Sequence, residues 1–210
     1  MRKGKISNAV IRRLPRYCRN LAALRKDGVE RISSSALGKN MGLTASQIRQ
    51  DLSCFGEFGQ QGYGYNVENL YQEIYEILYL HKKHAAILVG AGNLGRALIQ
   101  NFNFMDSGFQ LEAIFDTKPA LIGTEINGIP VLDAGEMEQY LKEHEVTIAV
   151  LTLPGKHVQQ AADLLMDNGI RGIWNFTNID FEVPEEHSDV VVESIHFSDS
   201  LQVLSYQIGE

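Results

Sequence analysis

The stretch Ala85-Ala-Ile-Leu-Val-Gly90-Ala-Gly-Asn-Leu-Gly95-Arg-Ala-Leu-Ile99 decides the fold of the chain that carries it. Its five leading apolar residues predict a buried strand over 85–89, and the periodic apolar residues after them predict a helix over 94–104. Between the two, Gly90-Ala91-Gly92-Asn93-Leu94-Gly95 has the spacing G-x-G-x-x-G. A chain with 19 glycines produces that spacing by chance, but here it follows a strand and opens a helix, where the mechanism requires it. Gly90 permits the tight turn, Gly92 lets the backbone approach a pyrophosphate, and Gly95 allows close helix–strand packing. The free N–H groups and the positive end of the helix dipole then hold the anion. Asp116 stands 21 residues beyond Gly95, at the end of a second strand predicted over 111–115, where a carboxylate can bond both ribose hydroxyls. It repels a 2′-phosphate and so favours NAD(H) over NADP(H), although Lys118 beside it would tolerate one.

Outward from this unit, strands and helices keep alternating, which predicts a doubly wound parallel sheet of Rossmann type. Strands are expected over 129–132, 146–151, 172–176 and 189–193, and helices over 134–144 and 155–167. Two further loops leave the carboxyl ends of strands, the edge where ligands bind. Thr152-Leu-Pro154-Gly is expected along the ribose–nicotinamide end, and Asn175-Phe-Thr toward the nicotinamide ring; a plain structural turn competes for each. Residues 195–208 predict a terminal helix with Ile195, Phe197, Leu201, Val203, Leu204 and Ile208 spread over more than one narrow face. Such a helix needs a covering partner, its own sheet or another subunit.

The net charge of −7 conceals a division of the chain. Residues 1–60 hold twelve Lys/Arg and four Asp/Glu, whereas residues 61–210 hold seven and twenty-two. A basic head on an acidic body points to a polyanion as partner of the head. Its pattern is consistent with that. Asn8 to Lys26 reads as a helix that either kinks at Pro15 or ends near Leu14. Ser33 or Ser34 caps a short helix ending at Gly42, and Thr44 caps a third over 45–54. That is the outline of a helix-turn-helix. Phe55-Gly-Glu-Phe-Gly-Gln-Gln-Gly-Tyr-Gly-Tyr65 then alternates glycine and aromatics as a tight β-ribbon would, making the head a winged helix.

In that arrangement the third helix enters the major groove, where Ser46, Gln47, Arg49 and Gln50 reach base edges. Arg12, Arg13, Arg16 and Arg19, with Lys3 and Lys5, supply phosphate contacts, and the ribbon, including Gly59 and Tyr63, follows the minor groove or backbone. A solvated basic face is the blander reading. Residues 67–80 predict another helix, either a connector between domains or a core helix of one of them.

No run of 18 apolar residues crosses a membrane, and no signal-peptide pattern follows the basic start. Cys18 and Cys54 are too few for a disulfide framework and read as packed thiols, and no cluster has metal-ligand spacing. The default is a soluble cytoplasmic protein with domains at 1–80, 81–193 and a terminal helix at 194–210.

Over nearly its whole length the sequence resembles the Rex family of redox-sensing transcriptional repressors. The resemblance is carried by Arg13-Leu-Pro-Arg-Tyr17, Gln47-Ile-Arg-Gln-Asp-Leu52, Phe55-Gly-Glu-Phe-Gly59, Gly62-Tyr-Gly-Tyr-Asn66, the glycine loop and Asn175-Phe176. It implies a homodimer with Rossmann domains that bind NAD(H) as a regulatory ligand and a C-terminal helix exchanged near the partner's cofactor. It also implies winged helices that leave palindromic double-stranded operator DNA when NADH displaces NAD+. Phe197 matches the family residue that approaches the nicotinamide. The chain departs where family members commonly carry Tyr (Asn101) and Asp (His196). Two other readings compete. An NAD-dependent oxidoreductase needs an acid or base, for which His157 and His196 are the candidates. A coenzyme-A-binding domain of similar topology is disfavoured by Asp116. With no catalytic residue and no appended substrate domain, a sensor is expected rather than an enzyme.

Overall fold

The computed structural model describes residues 6–56, 59–60 and 63–209, and the chain divides into two compact units, Met1–His81 and Lys82–Glu210.

In the first unit, α1 (Asn8–Lys26) is capped by the Ser7 side chain and buries Val10, Leu14, Tyr17, Cys18 and Leu21 along one face. It runs unbroken through Pro15. The proline removes one backbone donor, but the buried residues on either side hold the helix to the core. The short α2 (Ser34–Met41) ends at Gly42 with φ +66°, and α3 (Ala45–Ser53) is capped by Thr44. The turn between them is tight: a Cβ on Gly38 would lie 2.5 Å from the Leu43 carbonyl oxygen. Strands β1 (Arg31–Ile32), β2 (Gly59–Gln60) and β3 (Gly64–Asn66) form an antiparallel sheet in the order β1-β3-β2. The wing is thus three-stranded. Its outer strand is a two-residue segment too short for any sequence period to mark. Helix α4 (Val67–Ile77) buries Val67, Leu70 and Ile74 in this unit's core; it is a core helix.

The second unit holds β4 (His84–Val89), α5 (Asn93–Asn101), β5 (Phe109–Asp116), β6 (Glu125–Ile126), β7 (Ile129–Asp133) and α6 (Met137–Glu143). There follow β8 (Ile148–Leu151), α7 (Val158–Asp167), β9 (Gly172–Asn175), β10 (Val191–Ser194) and α8 (Phe197–Ile208). The sheet order is β10-β9-β8-β4-β5-β7-β6, with β6 antiparallel to β7 and the other pairs parallel. This is the doubly wound order, and the strand direction of travel reverses between β4 and β8. Apolar clusters fill both faces, one around Ile87, Phe115 and Leu165, the other around Leu88, Ile114 and Phe176. Helix α5 ends three residues earlier than its apolar pattern suggests, because Phe102 turns extended and packs edge-on against Phe104 and tilted against Trp174. The stretch 134–136 is a 3-10 turn leading into α6. Helix α8 has no buried residue: Phe197 is 48%, Leu201 65% and Ile208 73% exposed.

Candidate functional site

The glycine loop has the geometry its spacing requires. Gly90 sits at φ +103°, and a Cβ there would meet the backbone of Thr152 and Leu153 at about 3.0 Å. A Cβ on Gly95 would lie 2.2 Å from the Gly90 carbonyl oxygen, whereas above Gly92 nothing stands within 4 Å. The backbone is therefore tight beneath the loop and open above it. No side chain caps the first turn of α5, so its amide N–H groups face that open space unpaired by the helix itself. Arg96 closes the loop from the side, donating to the Ala91 carbonyl at 3.0 Å and to Asn93 Oδ1 at 2.9 Å; the spacing rule does not single it out.

The Asp116 carboxylate, 9% exposed, accepts the Ala91 N–H at 2.7 Å and the Lys118 N–H at 2.8 Å. Each oxygen is fixed by one backbone donor and keeps acceptor capacity for a ligand hydroxyl. The Thr152 hydroxyl donates to the Gly90 carbonyl at 2.6 Å, tying the loop after β8 to the loop after β4. A cavity of about 650 Å³ opens here, lined by Gly90, Gly92, Asp116, Lys118, Thr152 and Pro154 among the expected residues. Ala91, Asn93, Leu94 and Gly95 build the loop beneath it. Met137, Leu153, His157, Gln160 and Leu164 complete the walls. These arrive on the segments after β7 and β8, and no local motif marks them.

Asn175 and Phe197 lie apart from this cavity. The Asn175 side chain is 1% exposed and engaged within its own loop. It donates to the Ile179 carbonyl and Ser194 Oγ and accepts from the Thr177 N–H and hydroxyl. It shapes the turn after β9. The Phe197 ring lies 6.3 Å from that of Phe176, so the start of α8 is at the same sheet edge. His196 Nε2 stands 3.2 Å from Asp180 Oδ1, and Asn101 donates to the Ala97 carbonyl one turn back.

In the first unit, Ser46, Arg49 and Gln50 are exposed on α3, and Arg12 and Arg16 are exposed on α1. Arg49 donates to Ser34 Oγ at 3.1 Å and Arg16 to the Met41 carbonyl at 2.6 Å, which hold both side chains near α2. Arg13 and Gln47 turn inward. Arg13 donates to both oxygens of Asp51 at 2.6 and 2.7 Å, Gln47 at 2.8 Å and the Tyr17 hydroxyl at 3.0 Å. Burial alone would raise the Asp51 carboxyl, but the hydrogen bonds from Arg13, Gln47 and Tyr17 hold it below the ordinary carboxylate range. Burial, with the same carboxylate, pushes the Tyr17 phenol well above its usual value. Tyr63, 69% exposed, stands at the wing with the Arg31 guanidinium 5.9 Å above its ring. Gly59 contributes backbone to β2, while Lys3 and Lys5 lie outside the described residues. Cys18 is buried, but Cys54 is exposed just past α3, where a packed thiol was expected. Among the described residues no helix is long and apolar enough to cross a membrane, and no His, Cys, Asp and Glu group could hold a metal.

A Gly95→Ala substitution tests the loop directly. The added methyl would press on the Gly90 carbonyl oxygen at 2.2 Å, the Thr152 hydroxyl at 2.8 Å and Leu88 at 3.2 Å, so overpacking of about 1–3 kcal/mol is expected, together with a displaced turn. Calorimetric melting of the full-length protein should fall, and binding of a dinucleotide should weaken by at least about tenfold. An unchanged melting curve would show that the loop relaxes freely.

A family model described as a CoA binding domain matches residues 81–179, and one described as a putative DNA-binding protein N-terminus matches residues 5–53. A redox-sensing transcriptional repressor Rex of Clostridium botulinum is 52% identical over 211 residues, covering 100% of this chain and 99% of the relative. The Rex of Clostridium beijerinckii is 50% identical with the same coverage. The crystal structure of a Rex-family repressor in complex with β-NAD+ and operator DNA superposes with a TM-score of 0.91 at 48% identity, over 98% of this chain and 94% of that one. Its complex with β-NADH gives 0.89 at 46%, over 98% and 95%.

Proposed function

The chain belongs to the Rex family of redox-sensing transcriptional repressors, and from that premise we propose that it senses the NADH/NAD+ ratio and leaves its operator when NADH binds. The observation that carries the ligand half of this reading is the open floor above Gly92 beside the fixed Asp116 carboxylate. NAD(H) is the ligand. The amides at the start of α5 hold its pyrophosphate, Asp116 holds the adenosine ribose, and Thr152 and Pro154 flank the chain between the two nucleosides. Lys118 stands at the ribose rim, and Asn175 acts by fixing the loop beside the nicotinamide end. A bound cofactor supplies only its redox state. No hydride is transferred, because His157 lines the adenosine side of the cavity and His196 is engaged with Asp180. The coenzyme-A family model covers the Rossmann unit alone, whereas the Rex relatives match both units throughout.

The DNA half rests on α3. Ser46, Arg49 and Gln50 read base edges, while Arg12, Arg16, Gly59 and Tyr63 contact the backbone and groove. Arg13 and Gln47 act one step back, orienting α3 through Asp51. A dimer forms through α8, whose apolar side chains have no cover in their own unit, and a two-fold axis suits a palindromic site. Phe197 then stands near the partner subunit's nicotinamide, and His196, where other members carry Asp, pairs with Asp180 of its own chain. The domain division we adopt is 1–80 for DNA, 81–193 for NAD(H) and 194–210 for exchange. A repressor that acts on operator DNA is expected in the cytoplasm.

The decisive measurement is operator binding with NAD+ and with NADH side by side; equal affinities overturn the reading. On the DNA side, Arg49→Ala should weaken the operator complex by about 1–3 kcal/mol and random DNA by less. A uniform loss on both would make Arg49 a phosphate contact.

A further inference from the structure

The cavity beside the glycine loop lies on the β5 and β7 side of it, next to Asp116, which is the adenosine end of a dinucleotide in this fold. Its far wall is an apolar slot made by Met137, Leu153, Ala161 and Leu164. A planar base seated there gives up water at its amino group and ring nitrogens, and each loses free energy unless a partner replaces the water. The acceptor capacity that Asp116 keeps beyond its two backbone N–H groups is taken by the ribose in the proposed pose, and the Thr152 hydroxyl donates to the Gly90 carbonyl. On the same face of α7 as Ala161 and Leu164, His157 and Gln160 also line the cavity, three residues apart at the start of the helix. Among the described residues neither side chain makes a hydrogen bond. The contrast with Gln159 is direct. That side chain turns away, donates to Asp163 and the Glu182 carbonyl, and accepts the Glu182 N–H.

We propose that Gln160, flanked by His157, is the group that reads the adenine edge of the bound dinucleotide. A carboxamide offers one donor and one acceptor side by side, the complement of the adenine amino group and a neighbouring ring nitrogen, as in glutamine–adenine pairs elsewhere. Adenine is common to NAD+ and NADH, so Gln160 fixes how tightly either is held and leaves the preference between them untouched. The redox preference is set at the other end of the ligand. This inference rests on the dinucleotide reading of the same cavity.

The test uses the full-length protein and its Gln160→Leu variant, an apolar replacement of similar size, with NADH, NAD+ and ADP-ribose titrated calorimetrically. Loss of one hydrogen-bonded pair should raise all three dissociation constants about tenfold and by the same factor. The melting temperature without ligand should not move, because Gln160 is exposed and its side chain makes no hydrogen bond among the described residues. His157→Phe should produce a smaller loss of the same uniform kind. Wild-type binding of NADH with a variant within twofold of it overturns the proposal and leaves the dinucleotide reading standing. A loss on NADH but not on ADP-ribose also overturns it, since the residue would then act at the nicotinamide end. Failure of the wild-type chain to bind NADH or NAD+ removes the dinucleotide reading and this one together.

Discussion

Asp51→Ala is expected to destabilise the N-terminal unit by about 3 kcal/mol and to abolish operator binding, although Asp51 itself touches no DNA in the arrangement proposed. The carboxylate is fully buried, and truncating one member of a buried ionic pair costs about 3–5 kcal/mol because the remaining groups lose their partner. Here the stranded groups are the Tyr17 hydroxyl, buried with it, the Gln47 carboxamide, and the Arg13 guanidinium, whose side chain is 23% exposed and can partly turn to water. That exposure puts the expected figure at the lower end. For a unit of this size about 3 kcal/mol corresponds to roughly 12–24 °C in melting temperature. The pH dependence has a definite sign. The folded-state Asp51 value is depressed relative to the unfolded chain, so its contribution is fully present above the ordinary carboxylate value near 4. It is lost as pH falls through the lower folded value. Acid unfolding of the wild-type head below about pH 4 should therefore be steeper than that of Asp51→Ala. Thermal melts of the full-length protein between pH 3 and 7, followed by hydrogen exchange in residues 6–56, measure this. Equal pH profiles for the two proteins would mean that the network contributes nothing.

NADH should lower operator affinity about a hundredfold relative to NAD+. A ligand shifts an equilibrium only by its differential affinity for the two states. A tenfold preference of NADH for the DNA-incompetent form supplies about 1.4 kcal/mol per cleft, and two clefts in a dimer multiply to a hundredfold. Asp116→Ala should flatten the response, since it removes the ribose acceptor and leaves the Ala91 and Lys118 amides without theirs. Fluorescence anisotropy on a labelled palindrome, titrated at fixed NAD+ or NADH, gives both constants. A response retained in full by Asp116→Ala would move the ribose contact to another residue.

The parts of this molecule that were legible in its sequence are those whose causes are local. Gly90 to Gly95 announce themselves because turn, helix start and close packing fall within six residues. Ser33 and Thr44 mark helix starts by the same logic, each accepting from an amide three residues on. What escaped depends on residues brought together from afar. Arg13 and Asp51 are 38 positions apart, so a basic helix face gives no sign that one of its arginines turns inward. Strand β1 exists only because Arg31 and Ile32 find Asn66 and Tyr65. Likewise Gln160 reads as an ordinary polar position on α7 until the loop after β5 is placed opposite it.

Helix α8 has a kinetic consequence. Twelve residues are near the limit at which a helix persists alone in water, and this one has no buried side chain of its own to steady it. In the proposed dimer its order is supplied by a second copy. In such a dimer folding within each chain would be first order, whereas α8 would order only on encounter, at a per-chain rate proportional to the concentration of folded chains. Sparse synthesis would then leave α8 uncovered for longer, and maturation of the sensor would track its own abundance.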